Sequence, residues 1–187
     1  MRCSVEGIMY PLNAKAEISS ALSHFSGHHN DFSYIEVPHK EWSRCKDKLD
    51  SLLLPLRGLD FPYVFVLGPL HKGPVTFDDK YPVYVPEDGD LSGSDWSLKL
   101  ECPAPISSKV TISDDISSEE HGLEIIAPYI SLLFPKAKTC WLLSSGDSPE
   151  IGEIVKILRK DFSSSLILLS NNSDTCCAHI WKEALDR

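Results

Sequence analysis

Hydrophobic positions along the chain follow two spacings, and they predict helices and strands in alternation. Apolar residues recur every three or four positions where a helix buries one face. Continuous apolar runs are typical of parallel strands that are covered on both faces. The helices are predicted over about 14–26, 42–53, 117–134, from Ser148-Pro149 onward and over about 175–185, and the strands at 34–37, 63–67, 140–143 and 166–169. This alternation predicts an α/β fold with a mainly parallel central sheet flanked by helices.

The stretch from 72 to 112 has a different pattern. It holds many of the prolines and glycines, including Tyr-Pro-Val-Tyr-Val-Pro at 81–86. Because proline is excluded from central strands, we expect irregular excursions with one or two edge strands here. No repeat or linker divides the sequence, so residues 1–187 are expected to form a single domain.

Composition narrows the classes of partner. Acidic side chains outnumber basic ones by 27 to 18, for a formal net charge of −9, and no basic stripe offsets them. Such a field repels phosphate backbones and anionic lipid, so we expect no nucleic-acid partner. No apolar run approaches the roughly 20 residues that span a bilayer, and no signal peptide is visible. The expectation is therefore no membrane association, a cytoplasmic location and six cysteines present as free thiols.

Two histidines follow predicted strands. His39 lies two residues beyond the strand ending at Val37, and His71 lies four residues beyond the one ending at Leu67. Open α/β sheets bind ligands beyond the carboxyl ends of their strands. Two imidazoles on proline-stiffened loops are therefore candidate metal ligands. The alternative is that both are partly exposed loop histidines bonded to backbone.

The helix at 117–134 carries a polar stripe. Glu120, His121 and Glu124 fall within one arc of about 100°. They are candidates for acid–base work, or for supporting a metal site. Alternatively, carboxylates in a first turn favour the helix dipole, which explains Glu120 but not Glu124, one turn further in. Pro128 is expected to kink this helix.

Other clusters carry weaker signals. His28-His29 is interpreted as solvated surface. Cys176-Cys177 with His179 matches no common zinc spacing, and we interpret it as a cap and a helix face. No nucleophile elbow, zincin helix or nucleotide-binding glycine loop is present.

Several motifs, in order, resemble those of the Memo-like family, whose fold is that of the class III extradiol dioxygenases. The segment at 120–129 resembles Glu-His-Ser-Ile-Glu-Met-His-Leu-Pro-Tyr and is the most specific match. The others are Gly7-Ile8-Met9-Tyr10-Pro11, Val37-Pro38-His39-Lys40-Glu41-Trp42, Leu67-Gly68-Pro69-Leu70-His71-Lys72 and Leu168-Leu169-Ser170-Asn171-Asn172. The resemblance covers almost the whole chain.

The resemblance implies that His39 and His71 correspond to metal-site histidines, with Glu120 and His121 beside the pocket. Departures from the family pattern oppose a working site. Lys40-Glu41 replaces Ala-Gly, Lys72 and Ile126 replace histidines, and Asn172 stands in the place of an aspartate. The sequence is also expected to lack the family's C-terminal segment, which supplies a cysteine ligand.

Two functions follow as hypotheses. The first is a catalytically degenerate Memo-like protein that binds a protein partner, a second copy or a small ligand in the crevice. The second is a metal-dependent oxidoreductase or dioxygenase-like enzyme. It would hold iron, copper or zinc through His39, His71 and an acidic residue, with His121 as acid or base. Bacterial relatives are often encoded beside an AMMECR-type and a radical SAM protein, which suggests a role in such a system. A structural domain with a self-satisfied polar stripe is the third possibility.

Overall fold

A computed structural model describes residues 10–24, 34–70, 82–113, 122–171 and 176–187, the side chains of 176–178 excepted. These residues form six α-helices and a short 3-10 helix at Leu54–Leu56. The α-helices are α1 (Ala14–His24), α2 (Trp42–Leu53), α3 (Ala104–Ser107), α4 (Gly122–Leu133), α5 (Pro149–Asp161) and α6 (Cys176–Asp186).

The strands of the described ranges form one sheet of eight. They are β1 (Ile35–Pro38), β2 (Tyr63–Pro69), β3 (Val83–Val85), β4 (Gly89–Ser92), β5 (Ser97–Leu100), β6 (Thr111–Ile112), β7 (Lys138–Ser144) and β8 (Leu166–Asn171). The order is β1-β8-β2-β7-β3-β6, and the first four strands run parallel. β3 pairs antiparallel with β7, and the β4–β5 hairpin joins β7 through β5. The predicted α/β class with a mainly parallel sheet is confirmed.

The central strands are apolar on both faces because helices cover both sides of the sheet. Successive side chains of a strand point to opposite faces. Val64 and Val66 accordingly pack with residues of α1, α2 and α4, whereas Phe65 and Leu67 pack with residues of α5 and α6. This two-sided burial explains why β2 reads as a continuous hydrophobic run rather than an alternating one.

The stretch from 82 to 113 contains more regular structure than the sequence predicted. Four short strands and α3 lie there, and β3 is an interior strand between β7 and β6. The prediction of one or two edge strands is therefore wrong. Pro82 and Pro86 flank β3 without entering its three-residue ladder, so proline's missing N–H does not interrupt the pairing.

Other boundaries agree closely with the predicted elements. β2 continues through Gly68-Pro69 instead of ending at Leu67, because it pairs with β7 as far as Ser144. Residues 114–121, with the start of the predicted third helix, lie outside the described residues. In the parts of the chain that the structure describes, no helix has the length and apolar character needed to cross a membrane.

Candidate functional site

The carboxyl ends of β1 and β8 place His39 at the edge of the sheet. The two strands pair as far as Pro38 and Asn171, and the His39 backbone N–H donates to the Asn171 carbonyl at 3.1 Å. The Ser170 hydroxyl lies 3.3 Å from His39 Nδ1. Ser170 is buried and His39 is partly buried. A bond at Nδ1 fixes the orientation of the imidazole.

The start of α4 approaches the same imidazole from another side. A Cβ built on Gly122 would lie 3.0 Å from His39 Cε1, 3.1 Å from its Nδ1 and 3.2 Å from Ser170 Oγ. Contacts this short are repulsive, so a side chain at residue 122 would displace the ring or the hydroxyl. Gly122 therefore permits the helix, the serine and the imidazole to pack together.

The neighbouring strand ends are held by buried polar contacts. The Ser144 hydroxyl donates to the Gly146 carbonyl at 2.6 Å, and the Leu70 N–H donates to the Ser144 carbonyl at 2.8 Å. On the other face of the sheet, Trp181 Nε1 donates to the Gly68 carbonyl at 3.2 Å. These bonds satisfy backbone and hydroxyl groups where the ladder ends, as buried polar groups require.

Five residues were predicted for the site, and the structure describes two of them. His39 lies at the predicted edge. Glu124 is 2% exposed, within a helix that is buried from Gly122 to Ser131. His71, Glu120 and His121 lie outside the described residues. The roles of all five remain predictions.

Of the two predicted metal ligands, His39 is the one that the structure describes. Among the residues that the structure describes, no group of three or more His, Cys, Asp or Glu side chains could hold a metal ion. His39 suits a metal, because a ligating imidazole ordinarily bonds a protein group through its other ring nitrogen. Further ligands would have to include His71 or other residues outside the described ranges.

An exposed network lies beside β1 and β8. Lys182 of α6 pairs with Glu36 at 2.9 Å and with Asp186 at 3.3 Å, and it donates to the Tyr34 hydroxyl at 2.7 Å. The hydrogen bond from Lys182 lowers the pKa of Glu36. Asn171 also donates to Glu36, at 3.0 Å, so this network reaches the strand end that holds the His39 backbone. It positions α6 against the sheet.

A separate cavity of about 750 Å³ lies between α5 and α6. Its apolar floor includes Ile151, Val155 and Ile180, and its rim includes Arg159 and Glu183. Neither His39 nor Glu124, the two predicted site residues that the structure describes, lines it. We place the candidate site at the sheet edge, because the oriented imidazole is there.

Sequence reasoning did not single out Ser170 or Gly122 as site residues. Ser170 was visible as the polar end of an apolar strand, which in a parallel sheet faces the ligand-binding edge. Gly122 stands where the motif of the Memo-like family has a serine, and that departure was its signal.

Fold and edge together define an α/β protein with an oriented histidine at the carboxyl ends of parallel strands, where such sheets bind ligands. The chain is 26% identical over 175 residues to a MEMO1 family protein from Thermus thermophilus, across 87% of this chain. No family model matches the chain. This relative and the fold support the Memo-like family assignment made from the motifs. It spans about half (51%) of the length of that relative.

Proposed function

We propose that this Memo-like chain binds a small ligand at the sheet edge around His39, without turning it over. The observation that carries the proposal is the fixed imidazole, with Ser170 3.3 Å from Nδ1 and Gly122 against the ring. A ring held by a partner and by packing binds a ligand at little cost in conformational entropy. A carboxylate or a phenolic hydroxyl is the chemistry that one imidazole nitrogen recognises.

Support for the absence of turnover comes from residues that differ from the family's motifs. Lys72 and Ile126 stand where the motifs have histidines, and Asn172 stands where they have an aspartate. Each change removes a group that could ligate a metal or move a proton near neutral pH. A crevice that has lost these histidines and this aspartate has fewer groups that could ligate a metal or transfer a proton.

The test follows the His39 imidazole by NMR during titration with benzoate and phenol. We expect its ring resonances to shift saturably with at least one probe. Ser170→Ala should weaken that binding several-fold, since the ring loses its Nδ1 partner. Ser144→Ala is the matched control, because Ser144 is also buried at a strand end but bonds Gly146. Unshifted His39 signals across the panel would count against the proposal.

A metal-binding function is the second candidate, and the Nδ1 contact of His39 favours it, because a ligating imidazole ordinarily bonds a protein group through its other ring nitrogen. His39 and His71 would hold the ion with a further donor. A bound divalent metal would polarise a ligand oxygen as a Lewis acid. The experiment is elemental analysis of protein loaded with Fe²⁺, Cu²⁺ or Zn²⁺, for the wild type, His39→Ala and His71→Ala. Stoichiometric metal lost in both variants would establish this candidate, and equal negligible metal in all three would exclude it.

Association with a partner protein or a second copy is also part of the proposal. Among the described residues, Leu12, Leu59 and Ile112 are exposed large hydrophobic side chains, and Ile112 lies on β6 at one end of the sheet order. Exposed edge strands can pair with another chain. Sedimentation analysis at low and high protein concentration should show a self-associating species, which Ile112→Lys would shift toward monomer. A monomer throughout would rule out the second copy.

A further inference from the structure

Two cysteines far apart in sequence meet where the β4–β5 hairpin joins the central sheet. β5 pairs with β7 through Leu100 and Thr139, and the Glu101 N–H donates to the Thr139 carbonyl at 2.9 Å. Cys102 lies two residues beyond Leu100, and Cys140 immediately follows Thr139. The register places Cys140 level with Glu101, so Cys102 follows one residue further along the neighbouring segment, and both cysteines line the same cleft.

Packing keeps the pair in place. Both side chains lie in the hydrophobic cluster under α5 and α6, and both line one narrow cleft that has no room for a water molecule. The Cys102 N–H donates to Asp88 Oδ1 at 2.8 Å, which holds the backbone at the end of the hairpin. Both are free thiols. Cys140 is buried and Cys102 is partly exposed, so a reagent from solvent meets Cys102 first.

Cys45 provides a contrast within the same chain. It is a buried free thiol of α2, and its Sγ donates to the Lys40 carbonyl at 3.2 Å. Burial raises the pKa of Cys45 to about 11, and the neighbouring Cys102 together with burial also raises the pKa of Cys140. The thiol that differs from Cys45 is therefore the partly exposed Cys102. A buried thiol that is satisfied by backbone is unreactive toward small disulfides.

We propose that Cys102 and Cys140 are a redox-active dithiol that closes reversibly to an intramolecular disulfide by exchange with a low-molecular-weight disulfide. The Cys102 thiolate attacks one sulfur of the small disulfide, forms a mixed disulfide and releases one small thiol. Cys140 then attacks the Cys102 sulfur, and its proton leaves with the second small thiol. Two protein thiols are oxidised, and one small disulfide is reduced to two thiols.

Closure would join the hairpin to β7 covalently and close a loop between residues 102 and 140. A cross-link of this kind stabilises chiefly by restricting the unfolded chain. The oxidised protein should therefore melt about 5 °C or more above the reduced one, and a dithiol reductant should reverse the shift. Strain introduced by closure would reduce the shift, so peptide mapping is the primary measurement.

The experiment treats the folded, reduced protein with oxidised glutathione, traps free thiols with iodoacetamide and maps peptides by mass spectrometry. We expect a linked peptide joining Cys102 and Cys140, absent from Cys102→Ser. Cys140→Ser should leave Cys102 as a stable glutathione adduct, since the second thiol is missing. Cys45→Ser is the matched control and should form the linked peptide as the wild type does.

Three outcomes would overturn the proposal. These are a Cys102 glutathione adduct that persists in the wild type, a link from Cys102 to Cys3, Cys176 or Cys177, and full alkylation of Cys102 after treatment. Because Cys102 is partly exposed, Cys102→Ser should fold, and circular dichroism of each sample confirms that the reaction occurs in the native state.

Discussion

At the scale of single residues, the packing around His39 depends on the absence of a side chain at Gly122. Of the glycines in the described ranges, only Gly58 has a positive φ, of 80°. Gly122 therefore does not serve an unusual backbone conformation. Its role is steric, because a Cβ here would force the imidazole and the Ser170 hydroxyl to shift by a few tenths of an ångström. A serine at this position, as in the family motif, would require a different spacing between α4 and His39.

Replacing Gly122 by alanine tests this steric role. We expect Gly122→Ala to lower the free energy of unfolding by about 1–3 kcal/mol, the usual cost of overpacking a site. It should also shift the His39 ring resonances. The measurement is denaturant unfolding together with NMR.

Gly152 is the matched control for that substitution. It lies inside α5, and a Cβ built on it meets no atom within 4 Å. Gly152→Ala should raise the free energy of unfolding by about 0.5–1 kcal/mol, because alanine favours the helix and has room there. Equal effects at the two glycines would contradict the steric explanation.

At the scale of elements, α4 is held against α2 by a buried tyrosine. The Tyr129 hydroxyl donates to Asp50 Oδ1 at 2.6 Å, and its ring lies 5.7 Å from the ring of Trp42. Lys46 also pairs with Asp50. Burial and the Asp50 carboxylate raise the pKa of Tyr129, so the hydroxyl stays protonated and remains a donor. This contact fixes the distance between α4 and the helix that follows His39.

Removing the Tyr129 hydroxyl should therefore loosen the two helices. Tyr129→Phe is expected to cost about 1 kcal/mol of stability, since it deletes a bond to a charged acceptor and keeps the ring. Tyr34→Phe is the control, because the Tyr34 hydroxyl bonds Asp186 at the surface. That change should stay within about 0.5 kcal/mol. Thermal unfolding of both variants makes the comparison, and the reverse ranking would contradict it.

At the scale of the whole molecule, paired carboxylates make the stability of this acidic chain depend on pH. Glu101 accepts from Lys138 and from the Tyr63 hydroxyl, each at 2.6 Å, and the Lys138 bond is the main cause of its lowered pKa. Likewise, the hydrogen bond from Lys182 lowers the pKa of Glu36, and the hydrogen bond from Tyr34 lowers the pKa of Asp186. A carboxyl group whose pKa is lower in the folded state stabilises that state at any pH above its unfolded pKa. This stabilisation is lost as the pH falls through the folded pKa.

Glu101→Gln should therefore flatten the acid side of the stability profile. The loss in the wild type begins near the ordinary glutamate pKa of 4.5 and continues below it. We expect the melting temperature of the variant to fall less than that of the wild type between neutral pH and about pH 3. Asp60→Asn, in an exposed loop before β2, is the control and should follow the wild-type profile. An unchanged slope in Glu101→Gln would mean that the carboxylate contributes nothing.

The amino-acid sequence alone determines the order of the main helices and of the parallel strands, and the position of His39 beyond β1. These follow from local periodicity and from proline positions, which act over a few residues. Local periodicity and proline positions do not determine how β3 to β6 pair, because short strands flanked by proline contain too few residues to show a hydrophobic periodicity. The first turn of α1 is a similar case, since Asp95 accepts from the Lys15 N–H at 2.9 Å across 80 residues.

Only the tertiary structure decides which groups surround the imidazole. Ser170 is 131 residues from His39 in sequence, and Gly122 lies on a different element from both. The register of β1 on β8 and the packing of α4 bring them together. The physical reason is that side-chain periodicity specifies which face of an element is buried, whereas contact between distant residues depends on strand register and close packing of the whole core.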